Sequence, residues 1–158
     1  MMQITDHPGV EQVQIAVKRL ASSAGLALPA YQTAGAAGMD LVAAVERSVT
    51  LQPGEIAKIP TGLTLAIPRG WEAQIRPRSG LAVKHAITLP NAPATIDSDY
   101  RGELLVPLIN LGREAFTVDR GMRIAQMIVA RVASATWVEV EELPATERGE
   151  AGFGHTGI

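Results

Sequence analysis

The chain has 158 residues, 47% of them hydrophobic and 19% charged, which is enough for one domain with a substantial core and too few for two. Its net charge of −2, with no long basic run, lacks the electrostatic footprint of a protein that holds polymeric nucleic acid, and leaves room for a small phosphorylated ligand. The absence of cysteine excludes disulfides, thiolate nucleophiles and sulfur-bound zinc.

Residues 1–12 read as a loose polar arm, with Asp6, His7 and Pro8 where a signal peptide needs a basic and then an apolar region. No apolar run approaches the roughly 20 residues of a membrane span, so no membrane partner and a cytoplasmic location are expected. Val13 to Leu20 alternates as a strand does, and residues 21–38 read as a long loop rich in Ala, Gly and Ser. Gly38-Met39-Asp40-Leu41 then places one acid ahead of an apolar run, a turn cap when taken alone. From Ser48 the turns Pro53-Gly54, Pro60-Thr61-Gly62 and Pro68-Arg69-Gly70 separate short segments at Ile56–Ile59, Leu63–Ile67 and Trp71–Ile75. Turns at that interval predict an all-β meander and would break a helix at each proline. Ser79 is placed to cap one or two helical turns through His85.

Asn91 to Glu103 reads as a β-hairpin: turn chemistry at Asn91–Pro93, strand formers at Thr95 and Ile96, and a reversal at Ser98-Asp99. Leu104–Leu111 follows as an apolar strand in which Pro107 predicts an edge or a bulge. Arg123–Val132 is a further strand by its β-branched residues, and Trp137–Val140 a last one. Residues 13–141 thus form the β domain. Residues 142–158 form a glycine-rich tail without hydrophobic periodicity, expected to be mobile. Aromatics make up only 4% of the chain, so its core rests on Val, Ile, Leu and Ala. Such a core is often extended by burial against other subunits.

Five polar islands punctuate this frame. Arg78-Ser79-Gly80 combines a guanidinium, a hydroxyl and helix-end amides, groups that suit phosphate oxygens, although a basic surface turn has the same wording. The tail from Arg148 to Gly157 has amides free to wrap an anion and one aromatic, Phe153, to cover a flat base, although a disordered end also reads this way. His7, His85 and His155 lack any paired spacing, which argues against a transition-metal site made by protein alone.

In order and wording the five islands resemble the motifs of the trimeric dUTPase family (deoxyuridine 5′-triphosphate nucleotidohydrolase): Ala37–Leu41, Arg76–Leu81, Asn91–Glu103, Asp119–Ile128 and Arg148–Gly157. The resemblance runs from about Ile15 to the end. It implies a distorted jelly-roll (β-clip) barrel of short antiparallel strands with one short helix, assembled as a homotrimer with shared active sites. It also implies hydrolysis of dUTP to dUMP and pyrophosphate, keeping uracil out of DNA and supplying dUMP for thymidylate synthesis. Asp97 is then the catalytic group that orients and deprotonates water, with Asp99 structural.

By the same resemblance, Asn91, Thr95, Ile96 and Asp97 read the uracil, Tyr100 blocks a 2′-hydroxyl, and Leu105 lines the pocket. Arg78, Ser79, Gly80 and Gln126 hold the α- and β-phosphates, while Arg148, His155 and Thr156 close over the γ end and Phe153 over the base. Mg²⁺ is expected on the substrate phosphates, with Asp40 in its outer shell through water. Ala94 and Ala151 depart from glycines of the family pattern, and a methyl at 94 would strain the chain if that position needs a positive φ. Rival readings are a dCTP deaminase, alone or bifunctional, and a catalytically silent nucleotide-binding trimer.

Overall fold

Ten strands, one short α-helix and a 3₁₀ turn at Ala21–Ser23 make up the regular structure of the computed structural model, which describes Gly9 and residues 11–151. One sheet runs in the order β1 (Ala16–Arg19), β4 (Ile56–Ala66), β8 (Glu103–Asn110), β6 (Ile87–Thr88). A second runs β2 (Met39–Val42), β10 (Arg123–Arg131), β5 (Trp71–Arg76), β7 (Ala94–Ile96), and β3 (Val49–Leu51) pairs with β9 (Phe116–Val118) as a ribbon. Every pairing is antiparallel, as an all-β meander requires.

The two-residue period of a strand decides which side chains enter the core. Along β8, Leu104, Val106, Leu108 and Asn110 point inward and are buried, while Leu105 faces out. Ala73 and Ile75 of β5 and Ile124, Ala125 and Met127 of β10 meet them in one apolar cluster with Leu41, Leu51 and Ile59. Aliphatic side chains dominate it, and each large one stabilises the fold by roughly 1.5–3 kcal/mol through removal from water.

Several sequence expectations are corrected. The turn at Pro60-Thr61-Gly62 does not end a strand. β4 runs through it for 11 residues, and its pairing with β8 jumps from Pro60↔Leu105 to Thr64↔Glu103. The extra residues form a bulge whose polar groups β8 satisfies: the Thr61 hydroxyl donates to the Leu104 carbonyl (2.7 Å) and the Gly62 N–H to Glu103 Oε1 (2.8 Å). Asn91–Glu103 is not a hairpin either, because its arms enter different sheets, β7 pairing with β5 and β8 with β4. Ser79 is the first residue of α1 (Ser79–His85) rather than its cap; the cap position is Arg78, which is extended and makes no side-chain cap bond.

The strand expected over Val13–Leu20 is confined to Ala16–Arg19, and Trp137–Val140 is not a strand. Trp137 is 96% exposed, and residues 137–140 pair with no strand among the described residues. Most of the arm expected over residues 1–12 lies outside the described residues; Glu11, near its end, forms a two-pronged ion pair with Arg131, whose guanidinium also lies over the Trp71 ring at 4.9 Å. That hydrogen bond holds the Glu11 carboxyl below its usual range and raises Arg131. The contribution needs ionised Glu11, so it is complete above the ordinary carboxylate range and is lost as pH falls through the depressed value. Pro107 lies where β8 is paired on one side only, by Lys58, since β6 joins at Ile109. The edge position expected for a proline is therefore met locally.

Gly62 tests the bulge. Its φ of +67° is in the left-handed region, and a Cβ there would stand 2.6 Å from Ser23 Cβ and 2.8 Å from the Ser23 nitrogen. Gly62→Ala is expected to destabilise the fold by about 2–4 kcal/mol, combining backbone strain with overpacking. The check is the urea midpoint at fixed protein concentration, and an unchanged midpoint would mean that the bulge yields.

Candidate active site

Asp40, expected as a turn cap when taken alone, lies within β2, and cross-strand pairing places Asp40, Gln126 and Arg76 in one row across β2, β10 and β5. The row gathers three of the islands. Arg78, just past β5, reaches back so that its Nε donates to Asp40 Oδ1 at 2.8 Å, and Arg123 Nη1 approaches Oδ2 at 3.4 Å. Asp40 is 19% and Arg78 26% exposed, a half-buried pair in which the carboxylate fixes the guanidinium and leaves Arg78 Nη2 without a partner among the described residues. Gln126 Nε2 donates to the Pro77 carbonyl at 2.9 Å and so ties the corner that carries Arg78. Gly38 makes room for that amide, since a Cβ there would stand 2.7 Å from Gln126 Oε1. Ser79 and Gly80 follow, both exposed.

A second group surrounds a pocket of about 150 Å³ lined by Thr95, Ile96, Asp97, Tyr100, Glu103 and Leu105. β7 is the outer strand of its sheet, so alternate backbone N–H and C=O groups of Ala94–Ile96 face away from β5. An edge of this kind can read the donor and acceptor pattern of a flat ring. Asp97 is exposed, and its carboxylate makes no hydrogen bond or ion pair with any described residue, which leaves it free to accept a proton. Between the strands the backbone turns at Asp97–Tyr100, and Arg101 closes the loop by donating to the Ser98 and Tyr100 carbonyls at 2.7 and 2.8 Å. Tyr100 stands 45% exposed, with its hydroxyl donating to the Glu103 carbonyl at 3.0 Å.

The pocket therefore unites Thr95, Ile96, Asp97, Tyr100 and Leu105 as expected, and adds Glu103, which the sequence did not single out. Asn91 lies in the exposed turn before β7 and is not among the lining residues. Asp99 is exposed and forms no side-chain bond with a described residue, so nothing there supports the structural role expected of it. Ala94 has no positive φ. It sits in β7 opposite Ile75 at 7% exposure, its methyl part of the core rather than a strain on the loop. Arg148 is exposed and turns on itself, with Nε donating to the Ala151 carbonyl at 2.8 Å. Phe153, His155 and Thr156 lie outside the described residues.

No cluster of three or more His, Cys, Asp or Glu side chains exists among the described residues. Asp40, its two oxygens already near guanidinium groups, is suited to an ion's hydration shell more than to direct ligation. This donor set fits a hard cation that brings its own water and phosphate oxygens, as Mg²⁺ does.

A family model described as dUTPase matches residues 25–157. Deoxyuridine 5′-triphosphate nucleotidohydrolase of Desulfotalea psychrophila is 61% identical over 133 residues, covering 84% of this chain and 89% of that protein. The protein of the same name from Rickettsia felis is 55% identical over 145 residues, covering 92% and 97%. Among solved structures, the Staphylococcus bacteriophage 80alpha dUTPase with dUPNHPP superposes with a TM-score of 0.82 at 25% identity, covering 93% of this chain and all of that one (100%).

Proposed function

The chain belongs to the dUTPase family and is an enzyme that hydrolyses dUTP, and we propose that Asp97 drives the reaction by deprotonating a water that attacks the α-phosphorus. The oxygen bridging to the β-phosphate leaves, giving dUMP and pyrophosphate, and the proton released from water passes to the Asp97 carboxylate. The single observation behind this role is a carboxylate with no partner among the described residues, at the rim of a pocket one nucleoside could enter.

Each further role rests on the geometry around it. The outer edge of β7 at Thr95 and Ile96, continued by the Asp97 backbone, reads the uracil; a base with the wrong donor pattern would strand buried polar groups. Leu105 supplies an apolar wall, and the Tyr100 ring takes the space a 2′-hydroxyl would need. Arg78, held by Asp40, offers its free Nη2 to phosphate oxygens beside Ser79 and Gly80, and Gln126 contributes its second amide hydrogen. Asn91 remains a candidate for the same ligand from its turn ahead of β7. Mg²⁺, when bound, neutralises triphosphate charge, and Asp40 would hold it through water.

The strand registers support a shared site. Arg78 follows the C-terminal end of β5, whereas Asp97 follows Ile96, which pairs with Ala73 near the other end. The phosphate-binding corner and the nucleoside pocket of one chain thus point to opposite ends of the sheet, roughly 13 Å apart by strand rise. A homotrimer with a distorted jelly-roll subunit would bring the corner of one subunit to the pocket of another. The apolar segment around Trp137, Val138 and Leu143, each more than 80% exposed, is suited to burial against such a neighbour. Arg148, His155 and Thr156 would close over the γ-phosphate and Phe153 over the base, in a cytoplasmic enzyme.

The decisive experiment is turnover of dUTP, dCTP, dTTP and UTP with Mg²⁺. Pyrophosphate release is expected from dUTP far above the other three, and equal release from all four would sink the specificity. Neither ammonia from dCTP nor binding without turnover, the marks of the two rival readings, is expected. Removing residues 148–158 is expected to leave a folded oligomer with an unchanged number of subunits that has lost most turnover; full activity in that protein would remove the tail from the mechanism.

A further inference from the structure

Tyr100 is more than 40% exposed, yet its hydroxyl is fixed. Its acceptor is the carbonyl of Glu103, the first residue of β8. The side chain of that same residue reaches the β4 bulge, where Glu103 Oε1 accepts the Gly62 N–H at 2.8 Å. Next to it, the Thr61 hydroxyl holds the Leu104 carbonyl at 2.7 Å. The start of β8 is thus clamped onto a left-handed glycine whose neighbours permit no Cβ. Gly102 completes the arrangement, because a Cβ there would stand 2.5 Å from Tyr100 Cζ and 2.9 Å from Cε2, and closer still to the hydroxyl. The tyrosine ring can reach the Glu103 carbonyl only by lying across a residue without a side chain.

We infer that Glu103 and Gly102 are positioning residues for sugar selection: they lock the Tyr100 ring at the pocket by tying its hydroxyl acceptor to the β4 bulge. The inference rests on the reading of Tyr100 as the residue that blocks a 2′-hydroxyl, and it explains how a ring on an exposed loop can act as a steric wall. A wall that swings aside excludes nothing, so discrimination depends on the hydrogen bond and on the bulge behind it.

The measurement is the ratio of kcat/KM for dUTP to that for UTP, with the dUTP to dTTP ratio as a reference for the base-reading edge. Glu103→Ala, Gly102→Ala and Tyr100→Phe are each expected to lower the dUTP:UTP ratio by about tenfold while moving the dUTP:dTTP ratio less than about twofold, since one displaced group in a pocket changes selectivity by factors of this order. Glu103→Gln, whose amide oxygen can still accept the Gly62 N–H, is expected to restore the dUTP:UTP ratio. A general loss of structure would lower both ratios together, and that result overturns the inference. So does an unchanged dUTP:UTP ratio in Glu103→Ala when Tyr100→Ala lowers it. If Tyr100→Ala also leaves the ratio unchanged, the reading of Tyr100 itself has failed, and the inference falls with it. Should Glu103→Ala not accumulate as folded protein, Tyr100→Phe decides, because it removes only the hydroxyl from a half-exposed ring; an unchanged ratio there overturns the inference.

Discussion

Asp97→Asn is expected to bind dUTP about as tightly as the unaltered enzyme and to turn it over on the order of 10²–10⁴-fold more slowly. The amide has the shape and the hydrogen-bonding oxygen of the carboxylate, so the pocket formed with Thr95, Ile96, Tyr100, Glu103 and Leu105 keeps its outline. It cannot accept a proton. Because the Asp97 carboxylate has no bond to a described residue, the substitution breaks no structural contact there, and its effect should fall on kcat with little change in stability. Single-turnover hydrolysis beside equilibrium binding of dUTP separates the two quantities. Asp99→Asn is the internal control, since that neighbouring acid is exposed and does not line the pocket; it should leave kcat within about twofold. Retention of near-normal kcat in Asp97→Asn would assign the base elsewhere.

The second large effect is on stability. Asn110 is completely buried at the end of β8, and its amide makes three bonds to backbone: Nδ2 to the Leu51 carbonyl at 2.9 Å and to the Glu114 carbonyl at 2.8 Å, and Oδ1 from the Gly112 N–H at 2.9 Å. One side chain therefore joins the end of β3 to the loop between β8 and β9, where the chain reverses. Asn110→Ala would strand two carbonyls and one N–H away from water, at about 1–3 kcal/mol for each group that finds no substitute. A total near 4 kcal/mol is expected, a large part of the stability of an ordinary domain. Asn110→Asp should be at least as harmful, because it keeps the acceptor, removes both donors and buries a charge. Urea midpoints at fixed protein concentration give the number, and a loss below about 1 kcal/mol would show that water or local rearrangement replaces the amide.

The strands of the core were readable because their signals are local. Trp71–Ile75 and Arg123–Val132 differ from the observed β5 and β10 by one residue at one end, since apolar β-branched runs bounded by turn residues leave few alternatives. Partner choice was not readable. Asn91–Glu103 has the local wording of a hairpin, yet its arms join separate sheets, and that outcome depends on β4 and β5, which lie tens of residues earlier. Pro60-Thr61-Gly62 likewise reads as a turn, and only the side chains of β8 that satisfy it convert it into a bulge. Trp137–Val140 shows the reverse error: strand-forming residues make no strand without an edge to pair with.

At the site the same division holds. Asp97, Tyr100 and Leu105 stand close in sequence, so any path between the two strands keeps them together. Glu103 is not legible in the sequence because a lone acid at a strand start has no signature, and its importance lies in a bond to Gly62, forty-one residues away. Asp40 and Arg78 each carry a local signal, but their ion pair has none, since it requires the β2–β10–β5 pairing to bring them face to face.

That the nucleoside pocket takes one wall from β7 and the other from β8 has a consequence for heat inactivation. Each sheet is held internally by its own ladder, so a slip of one sheet against the other breaks no strand pairing. Such a slip shears the pocket while both ladders remain intact. Catalysis should therefore fade some degrees below the temperature at which β-sheet circular dichroism is lost, and a bound nucleotide, spanning both walls as a cross-brace, should bring the two temperatures together.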